Sequence, residues 1–311
     1  MGVGCVVDDR MNENLPGDAT KPVVIAIVKG GLGNQLFIYA AARALALRTG
    51  RELYLDTKRG YLADSYGRSY RLDRFPIQAK VMPEEWRVAP TLKHPRHKLI
   101  RALNKLLPRD RRGYLAERHN LDASQLTALQ PVRERVTLLG YWQAEDYFRE
   151  QTDVIRRELA PPEPLDARNR ELGREMAACE SVFLHVRRVR YSPTLDAAYY
   201  QTAIDAVRHE SGKVQFYLFG DDLAWLRANL DFFDSEVRDV DHNPSDELAD
   251  LWLMTQCRHA IVANSSFSWW GAWLGVPNVG RLVFVPTEPG WPIKPASGWH
   301  MLLNSLERSD S

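Results

Sequence analysis

The chain has 311 residues, of which 45% are hydrophobic and 26% are charged, a composition typical of a globular protein long enough for two domains with a core each. Its formal net charge of +1 gives no overall reason to expect a nucleic acid as partner. The three cysteines, Cys5, Cys179 and Cys257, are far apart and form no C-x-x-C pair, which argues against a disulfide framework and a zinc site.

The N-terminal segment lacks the pattern of a targeting signal. Residues 1–21 contain no basic flank followed by an apolar core, and we predict a disordered tail there. The apolar runs at residues 23–28 and 260–263 are far shorter than the roughly 20 residues that span a bilayer. These features and the unpaired cysteines predict a cytoplasmic protein.

The first half of the chain has the pattern of an α/β domain. The β-branched run VVIAIV at residues 23–28 is followed by glycines, by helical periodicity that includes Leu36 and Tyr39, and by a second short apolar run. Such a succession is typical of a parallel sheet that helices cover on both faces. We assign residues 22–160 to an N-terminal α/β domain, whose last helix is predicted from Tyr147 to Leu159.

The second half repeats this alternation after the proline-rich segment PPEPLD, residues 161–166, which we interpret as a linker. We assign residues 167–300 to a second α/β domain. Two Rossmann-like, doubly wound domains are expected to face each other across a cleft at their strand ends, where such sheets bind ligands. The predicted elements of the second domain are strand 181–186, helix 197–210, strand 214–222, helix 223–230, helix 246–257, strand 259–266, helix 266–275 and a last strand at 281–286.

The first candidate site is the glycine loop KGGLGNQLF. Gly30, Gly31 and Gly33 let the backbone bend sharply and approach a ligand, while the helix that follows offers free N–H groups to an anion. The loop fits neither G-x-G-x-x-G nor G-x-x-x-x-G-K-[ST], which weakens a nicotinamide or P-loop interpretation. The alternative is a turn that needs small residues only for packing, although Asn34 and Gln35 favour a ligand site.

The second candidate is the basic end of the strand at residues 181–186, where the chain reads His185-Val-Arg187-Arg188-Val-Arg190. Arginine keeps its charge in proteins, so several guanidinium groups at one strand end are costly unless a dense anion lies nearby. Guanidinium forks match the oxygens of a diphosphate. A surface arginine cluster paired with acidic neighbours is the alternative.

The third candidate is the acidic end of FYLFGDD. Asp221 and Asp222 could hold a metal, act as a base or accept hydrogen bonds from a guanine edge. Capping of the helix that follows is the alternative for at least one of them.

The fourth candidate is the serine turn in ANSSFSWWGAWL. Asn264, Ser265 and Ser266 lie where a strand becomes a helix, so hydroxyl and N–H groups converge as in a phosphate site. Against this, serine is a common N-cap and the tryptophans suit a core.

Two other segments need an interpretation. Asp239-Val-Asp241 has the D-x-D form of some metal-dependent nucleotide-sugar enzymes, but we interpret it as an ordinary polar loop and expect no metal. Residues 93–113 are basic and are a candidate for peripheral contact with an anionic inner membrane, the alternative being an amphipathic helix packed on its own domain. The apolar face of this segment contains Leu99, Ile100, Leu103, Leu106 and Leu107.

Several long motifs agree with one family. In order, GGLGNQLFIYAAARALA, LLGYWQAEDYF, HVRRVRY, FYLFGDD and DLWLMTQCRHAIVANSSFSWWGAWL resemble the α-1,2-fucosyltransferases of glycosyltransferase family 11, from about residue 22 to residue 290. The resemblance implies a GT-B-like architecture and inverting transfer of L-fucose from GDP-β-L-fucose, without metal or cofactor. It implies as acceptor the 2-hydroxyl of a terminal galactoside in an oligosaccharide, surface glycan or lipid-linked glycan.

The resemblance also implies residue roles. The H-x-R-R motif falls on His185, Arg187 and Arg188, as the catalytic group that contacts the nucleotide and its β-phosphate. The acidic strand end is implied to read guanine. The donor-binding set implied in this way is Gly33, Asn34 and Gln35 from the N-terminal domain, with Asp221, Asp222, Asn264, Ser265, Ser266 and Phe267 from the C-terminal domain.

One departure affects the prediction of activity. The family motif continues with Gly-Asp-Tyr after the arginines, whereas this chain has Val189-Arg190-Tyr191. We interpret the missing acid as one that orients an arginine rather than as an obligatory base. The alternatives are a catalytically impaired protein that binds nucleotide or glycan, and a fucosyltransferase with a different acceptor.

Overall fold

The computed structural model describes residues 21–87, 91–117, 122–189, 193–233, 236–276, 279–287 and 293–303, so the predicted tail lies outside the described residues apart from Lys21. By their contacts the residues group into two compact units. The first unit comprises the chain up to Gly30, Ala42–Ser69 and Gln78–Gly140; the second comprises Gly31–Ala41, Tyr70–Ile77 and the chain from Tyr141 onward. Residues 141–160, which the sequence assigns to the N-terminal domain, thus group with the second unit.

The first unit is built on a five-stranded sheet in the order β3-β2-β1-β5-β4, with every strand pair parallel. Its central strand β1 is wholly buried, as its continuous apolar run predicts. The helix α1 is buried over most of its circumference, and its first part groups with the second unit. The elements are β1 (Val23–Ile27), α1 (Leu32–Arg48), β2 (Glu52–Asp56), β3 (Lys80–Val81), α2 (Pro95–Asn104), β4 (Tyr114–Ala116), α3 (Ala123–Thr127) and β5 (Arg135–Leu139).

The second unit contains a six-stranded parallel sheet in the order β11-β10-β9-β6-β7-β8. The strand β6 is buried along its whole length and pairs with β7 on one side and β9 on the other. The strand order therefore reverses between β6 and β9, and open α/β sheets bind ligands beside such a reversal, at the carboxyl ends of the strands. The elements are α4 (Thr152–Glu158), α5 (Ala167–Ala177), β6 (Ser181–Val186), α6 (Ala197–Ser211), β7 (Gln215–Gly220), α7 (Leu223–Asn229), β8 (Val237–Asp239), α8 (Glu247–Gln256), β9 (His259–Ile261), α9 (Ser266–Leu274), β10 (Val283–Thr287) and β11 (His300–Leu303).

The predicted α/β alternation of the second half is confirmed, but the prediction lacks α5 and β8, and two predicted elements of the chain differ from the structure. The strand at residues 281–286 is not the last, because β11 continues the sheet beside β10. The helix predicted from Tyr147 starts only at Thr152, after two 3₁₀ turns. Phe148 lies between these turns and stacks on Trp270 with 5.6 Å between ring centroids, so aromatic packing outweighs the local helical periodicity.

The helix α2 buries polar side chains and exposes apolar ones. His97 and Asn104 are buried, whereas Leu99, Leu103 and Leu106 are 60%, 56% and 82% exposed. These three leucines therefore do not pack on their own domain, whereas Ile100 and Leu107 of the same predicted face are half-buried. Within the described ranges, the helices lack the combination of length and hydropathy that a membrane-spanning segment needs.

Asn104 attaches α2 to the strand β4. Its Oδ1 accepts hydrogen bonds from the N–H groups of Gly113 at 2.8 Å and Tyr114 at 3.1 Å, and its Nδ2 donates to the Tyr114 carbonyl at 2.7 Å. The His97 ring adds an edge-on contact to the Tyr114 ring at 5.2 Å between centroids. The side of α2 that faces the protein is thus held by the hydrogen bonds of Asn104 and by the ring contact of His97, whose two buried ring nitrogens have no hydrogen-bond partner among the described residues.

We expect Asn104→Ala to lower stability by about 2 kcal/mol, because it leaves two N–H groups and one carbonyl without their partner. Leu103→Ser is the matched control on the opposite side of α2 and should change stability by less than about 0.5 kcal/mol. Thermal unfolding of both variants checks this. Equal melting temperatures for the two variants would show that Asn104 does not hold the helix.

Candidate active site

The carboxylate of Asp221 holds the basic end of β6. Its Oδ2 accepts a hydrogen bond from Arg187 Nη1 at 2.8 Å, and its Oδ1 accepts one from the Arg188 backbone N–H at 2.8 Å. Asp221 follows β7, whose last residue Gly220 is in register with Val186 of β6. One acidic side chain therefore fixes both the backbone after β6 and the Arg187 guanidinium.

Gly220 permits this close approach of two strand ends. Its φ is +136°, and a Cβ at this position would lie 2.1 Å from the Val186 carbonyl oxygen. Only glycine adopts such a backbone conformation in so little space. The glycine of the G-D-D sequence is thus required by the geometry that brings Asp221 to the arginines.

The two arginines differ in the exposure of their side chains and in their protein contacts. The Arg187 side chain is 42% exposed beside Asp221. The Arg188 side chain is 24% exposed; it donates to the Leu195 carbonyl at 3.0 Å and lies over the Trp225 ring, 3.9 Å from the centroid. Arg187 is therefore the better candidate for contact with an anion, because the Arg188 guanidinium is already bound to Leu195 and packed on Trp225.

The acidic pair is already engaged with protein partners. Asp222 caps α7 by accepting a hydrogen bond from the Trp225 N–H at 3.1 Å, and its Oδ2 lies 3.6 Å from Arg188 Nε. The capping alternative therefore describes Asp222, and Asp221 is an arginine-positioning residue. Their predicted role at guanine stays a prediction, since a carboxylate has further lone pairs.

His185 lies inside the unit at the same strand end. It is 6% exposed, its buried Nδ1 has no hydrogen-bond partner among the described residues, and its ring lies 6.0 Å from the Phe267 ring. Burial, with a smaller contribution from Arg187, lowers the pKa of His185 to about 3. Its imidazole is thus neutral near pH 7 and adds no positive charge to the site.

The serine turn begins α9, directly after β9. The Ser265 hydroxyl accepts a hydrogen bond from the Phe267 N–H at 3.3 Å and caps the helix, and Asn264 donates to the Pro193 carbonyl at 2.8 Å. Ser266 and Phe267 are half-buried. The N-cap alternative is therefore correct for Ser265. The three tryptophans that follow, Trp269, Trp270 and Trp273, are core residues with at most 2% exposure.

The glycine loop packs directly on this serine turn. A Cβ on Gly33 would lie 2.5 to 2.6 Å from the backbone of Ser266 and Phe267, so the close approach requires glycine. The sequence predicts Gly33, Asn34 and Gln35 on the N-terminal domain, whereas their contacts group them with the second unit. The loop and the turn thus form one surface.

The side chains after Gly33 support the loop. Asn34 is half-buried and its Oδ1 accepts a hydrogen bond from Gln143 Nε2 at 2.7 Å. Gln35 is 0% exposed and its Oε1 accepts from the Arg71 N–H at 2.9 Å. Gln35 therefore positions the segment that carries Arg71 and does not present its side chain to solvent.

A polar cavity of about 350 Å³ in the second unit was not predicted from the sequence. It lies where the chain leaves β8, and Arg71 Nε is 3.5 Å from Glu247 Oε1 at its wall. Burial raises the pKa of Glu247, and Arg71 partly offsets this rise. The lining residues are Arg71, Arg74, His242, Asn243, Pro244, Ser245, Asp246, Glu247 and Leu248.

The cavity joins segments about 170 residues apart in sequence, so local patterns did not reveal it. The nearest signal was the polar run DHNPSDE, which follows the D-x-D pair. Of that pair, which the sequence assigns to a polar loop, Asp239 is instead the last residue of β8 and forms an ion pair with Arg227, with 2.9 Å between Oδ1 and Nη2. Among the described residues, no group of three or more His, Cys, Asp or Glu could hold a metal ion. Arg190 and Tyr191 lie outside the described residues.

Comparison with known proteins agrees with the motifs. The α-1,2-colitosyltransferase of Escherichia coli is 29% identical over 277 residues, which cover 85% of this chain and 91% of that protein. Galactoside 2-α-L-fucosyltransferase SEC1 of Bos taurus is 35% identical over 106 residues, 30% of this chain and 28% of that protein.

Solved structures show the fold. Fucosyltransferase NodZ from Bradyrhizobium is 19% identical, with a TM-score of 0.51 over 81% of this chain and 92% of that one. NodZ α-1,6-fucosyltransferase soaked with GDP-fucose is similar to the chain at 17% identity, with a TM-score of 0.50 over 82% of this chain and 93% of that one. The two parallel sheets therefore belong to the GT-B class of glycosyltransferase folds, as predicted.

The sequence matches the family Glycosyl transferase family 11 over residues 23–285. This match includes the glycine loop, the Asp221-bound arginines and the serine turn. The chain therefore belongs to glycosyltransferase family 11, and it is a fucosyltransferase-like glycosyltransferase.

Proposed function

We propose that the protein transfers L-fucose from GDP-β-L-fucose to the 2-hydroxyl of a terminal galactoside, with inversion and without metal or cofactor. The second unit binds the donor, and the first unit serves the acceptor, a galactose-terminated oligosaccharide or lipid-linked glycan. The observation that carries the proposal is Arg187, fixed by Asp221 beside the reversal of strand order between β6 and β9.

The leaving nucleotide sets the main chemical task. Glycosyl transfer passes through an oxocarbenium-like state, so stabilising the departing diphosphate lowers the barrier. Arg187 supplies a fixed charge and two-pronged hydrogen bonding. The first turn of α9 supplies N–H groups that favour an anion. His185, being neutral, donates or accepts a hydrogen bond without adding charge.

We expect Arg187→Ala to lower kcat by about 10²- to 10³-fold, because it removes a donor aimed at charge that develops in the transition state. Arg187→Lys should restore only part of the rate, since an ammonium group lacks the planar fork. Release of GDP in the presence of a galactose-terminated oligosaccharide measures both effects.

Arg238→Ala is the matched control for this variant. Arg238 is 46% exposed and its Nη1 lies 2.6 Å from Glu175 Oε2, so its ion pair resembles that of Arg187 but lies on the edge strand β8. Its loss should leave kcat within about twofold. Unchanged turnover in Arg187→Ala would contradict the assignment.

The polar cavity is our proposed position for the guanine base. It opens after β8, two strands from β6, which corresponds to roughly 10 Å, a separation that a nucleoside diphosphate can span. Glu247 and Asp246 offer the acceptor oxygens that the N1–H and 2-amino groups of guanine need. Gln35 links Arg71 at the cavity wall to the glycine loop.

Glu247→Gln should remove most of the preference for GDP over inosine diphosphate, which lacks the 2-amino group. We expect a preference of about 10-fold or more in the unaltered protein and near equality in the variant. Dissociation constants from calorimetry measure it. If Asp222→Asn abolishes the preference instead, and Glu247→Gln does not, guanine is read at the end of β7.

Colitosyl transfer is the second candidate function, because the colitosyltransferase match covers 85% of the chain. Colitose lacks the 3-hydroxyl of L-fucose. A site built to hydrogen-bond a hydroxyl rejects the analogue without it by about 10⁴-fold or more, whereas a site built for the deoxy sugar rejects the hydroxylated one only by about 10²-fold. The size of the discrimination therefore tells the two sites apart.

We expect kcat/KM for GDP-fucose to exceed that for GDP-colitose by about 10⁴-fold, with a galactose-terminated acceptor and an α-1,2 linkage in the product by NMR. A preference for GDP-colitose would establish the second candidate. Transfer only to acceptors that end in N-acetylglucosamine would overturn the galactoside assignment. Binding of GDP-fucose without transfer to any acceptor would identify a protein that has lost catalysis.

A further inference from the structure

The leucine face of α2, which we define as Leu99, Leu103 and Leu106, is an apolar stripe open to solvent. These residues follow the i, i+4, i+7 spacing that places side chains on one side of a helix. They are 60%, 56% and 82% exposed. Leu106 lies in the turn that continues past the helix, where its N–H donates to the Leu103 carbonyl at 3.1 Å.

The helix is attached by its opposite side. His97 and Asn104 point away from the leucine face, and Asn104 makes two hydrogen bonds to the backbone of Tyr114 in β4 and one to the backbone of Gly113 just before it. Rotating α2 so that the leucines face the protein would break these hydrogen bonds. It would also place leucine side chains against the backbone polar groups that Asn104 now satisfies. The leucine face is therefore a fixed feature of the surface.

Positive charge borders the stripe. Lys98 and Lys105 are seven residues apart, both exposed, and lie along one flank of the leucine face, while Arg96 is exposed near its other flank. Residues 93–113 contain eight lysine and arginine side chains and a single acidic one, in a chain whose net charge is +1. An apolar stripe between basic flanks is the form of a helix that lies in the plane of an anionic lipid surface.

We propose that the leucine face of α2 docks on an anionic lipid leaflet, with the leucines in the acyl boundary and the flanking lysines at the lipid phosphates. The charge argues against a second copy of the chain as occupant, since two such basic surfaces repel. This inference does not depend on the proposed function, although a lipid-linked acceptor would be presented at the same surface.

Flotation of the full chain with vesicles tests the proposal. We expect binding to vesicles of equal parts phosphatidylglycerol and phosphatidylethanolamine and none to pure phosphatidylcholine, with binding lost as salt screens the lysines. The triple variant Leu99→Ser, Leu103→Ser, Leu106→Ser should weaken binding at least 10-fold with an unchanged melting temperature. The charge variant Lys98→Glu, Lys105→Glu should weaken vesicle binding to a similar degree, because it replaces attraction to the lipid phosphates with repulsion.

Leu165→Ser is the matched control, because Leu165 is 90% exposed but lies outside α2. This variant should bind vesicles as well as the unaltered chain does. GDP release with a soluble acceptor should be the same for all these variants, which separates this test from that of the transferase. Failure of the unaltered chain to float would overturn the proposal, as would full binding by the triple variant. A change of oligomeric state in the triple variant would assign the face to a second copy instead.

Discussion

The hydrogen bonds of Asp221 are the constraint on which the candidate site depends. The strand β6 is buried along its whole length and ends in two arginines that cannot lose their charge. Asp221 joins them to β7 through one side-chain and one backbone hydrogen bond. Without Asp221 the Arg187 guanidinium would lose its fixed orientation, and a donor that must reorganise stabilises a transition state less well.

The charges at the carboxyl ends of β6 and β7 explain why the net charge of the chain says little about the ligand. Arg187 and Arg188 are matched by Asp221 and Asp222, each within hydrogen-bond or ion-pair distance of an arginine. In the proposed function, a diphosphate is met by oriented donors and by the N–H groups of α9 rather than by a large surplus of positive charge. A net charge of +1 for the whole chain is compatible with tight binding of such an anion.

The sequence predicts those features that depend on neighbours along the chain. Long apolar runs identify β1 and β6, and the motifs bring attention to Arg187 and to Ser266. What the sequence could not predict is which partner each polar group takes. Gly33 lies against Ser266, more than 230 residues away, and the cavity wall joins Arg71 to Glu247. Such contacts arise from the tertiary fold, and the spacing of residues within a short segment does not reveal them.

The helix α2 shows a more specific limit of pattern reasoning. Periodicity identifies an apolar stripe, and the usual inference that the stripe faces inward assumes that burying polar groups is costly. That cost is smaller where buried polar atoms find partners, as the side-chain amide of Asn104 does on the backbone of Gly113 and Tyr114. With Asn104 bonded in this way, turning the leucines inward would cost its three hydrogen bonds. In our proposal, contact with a lipid surface supplies the free energy of covering the exposed leucines.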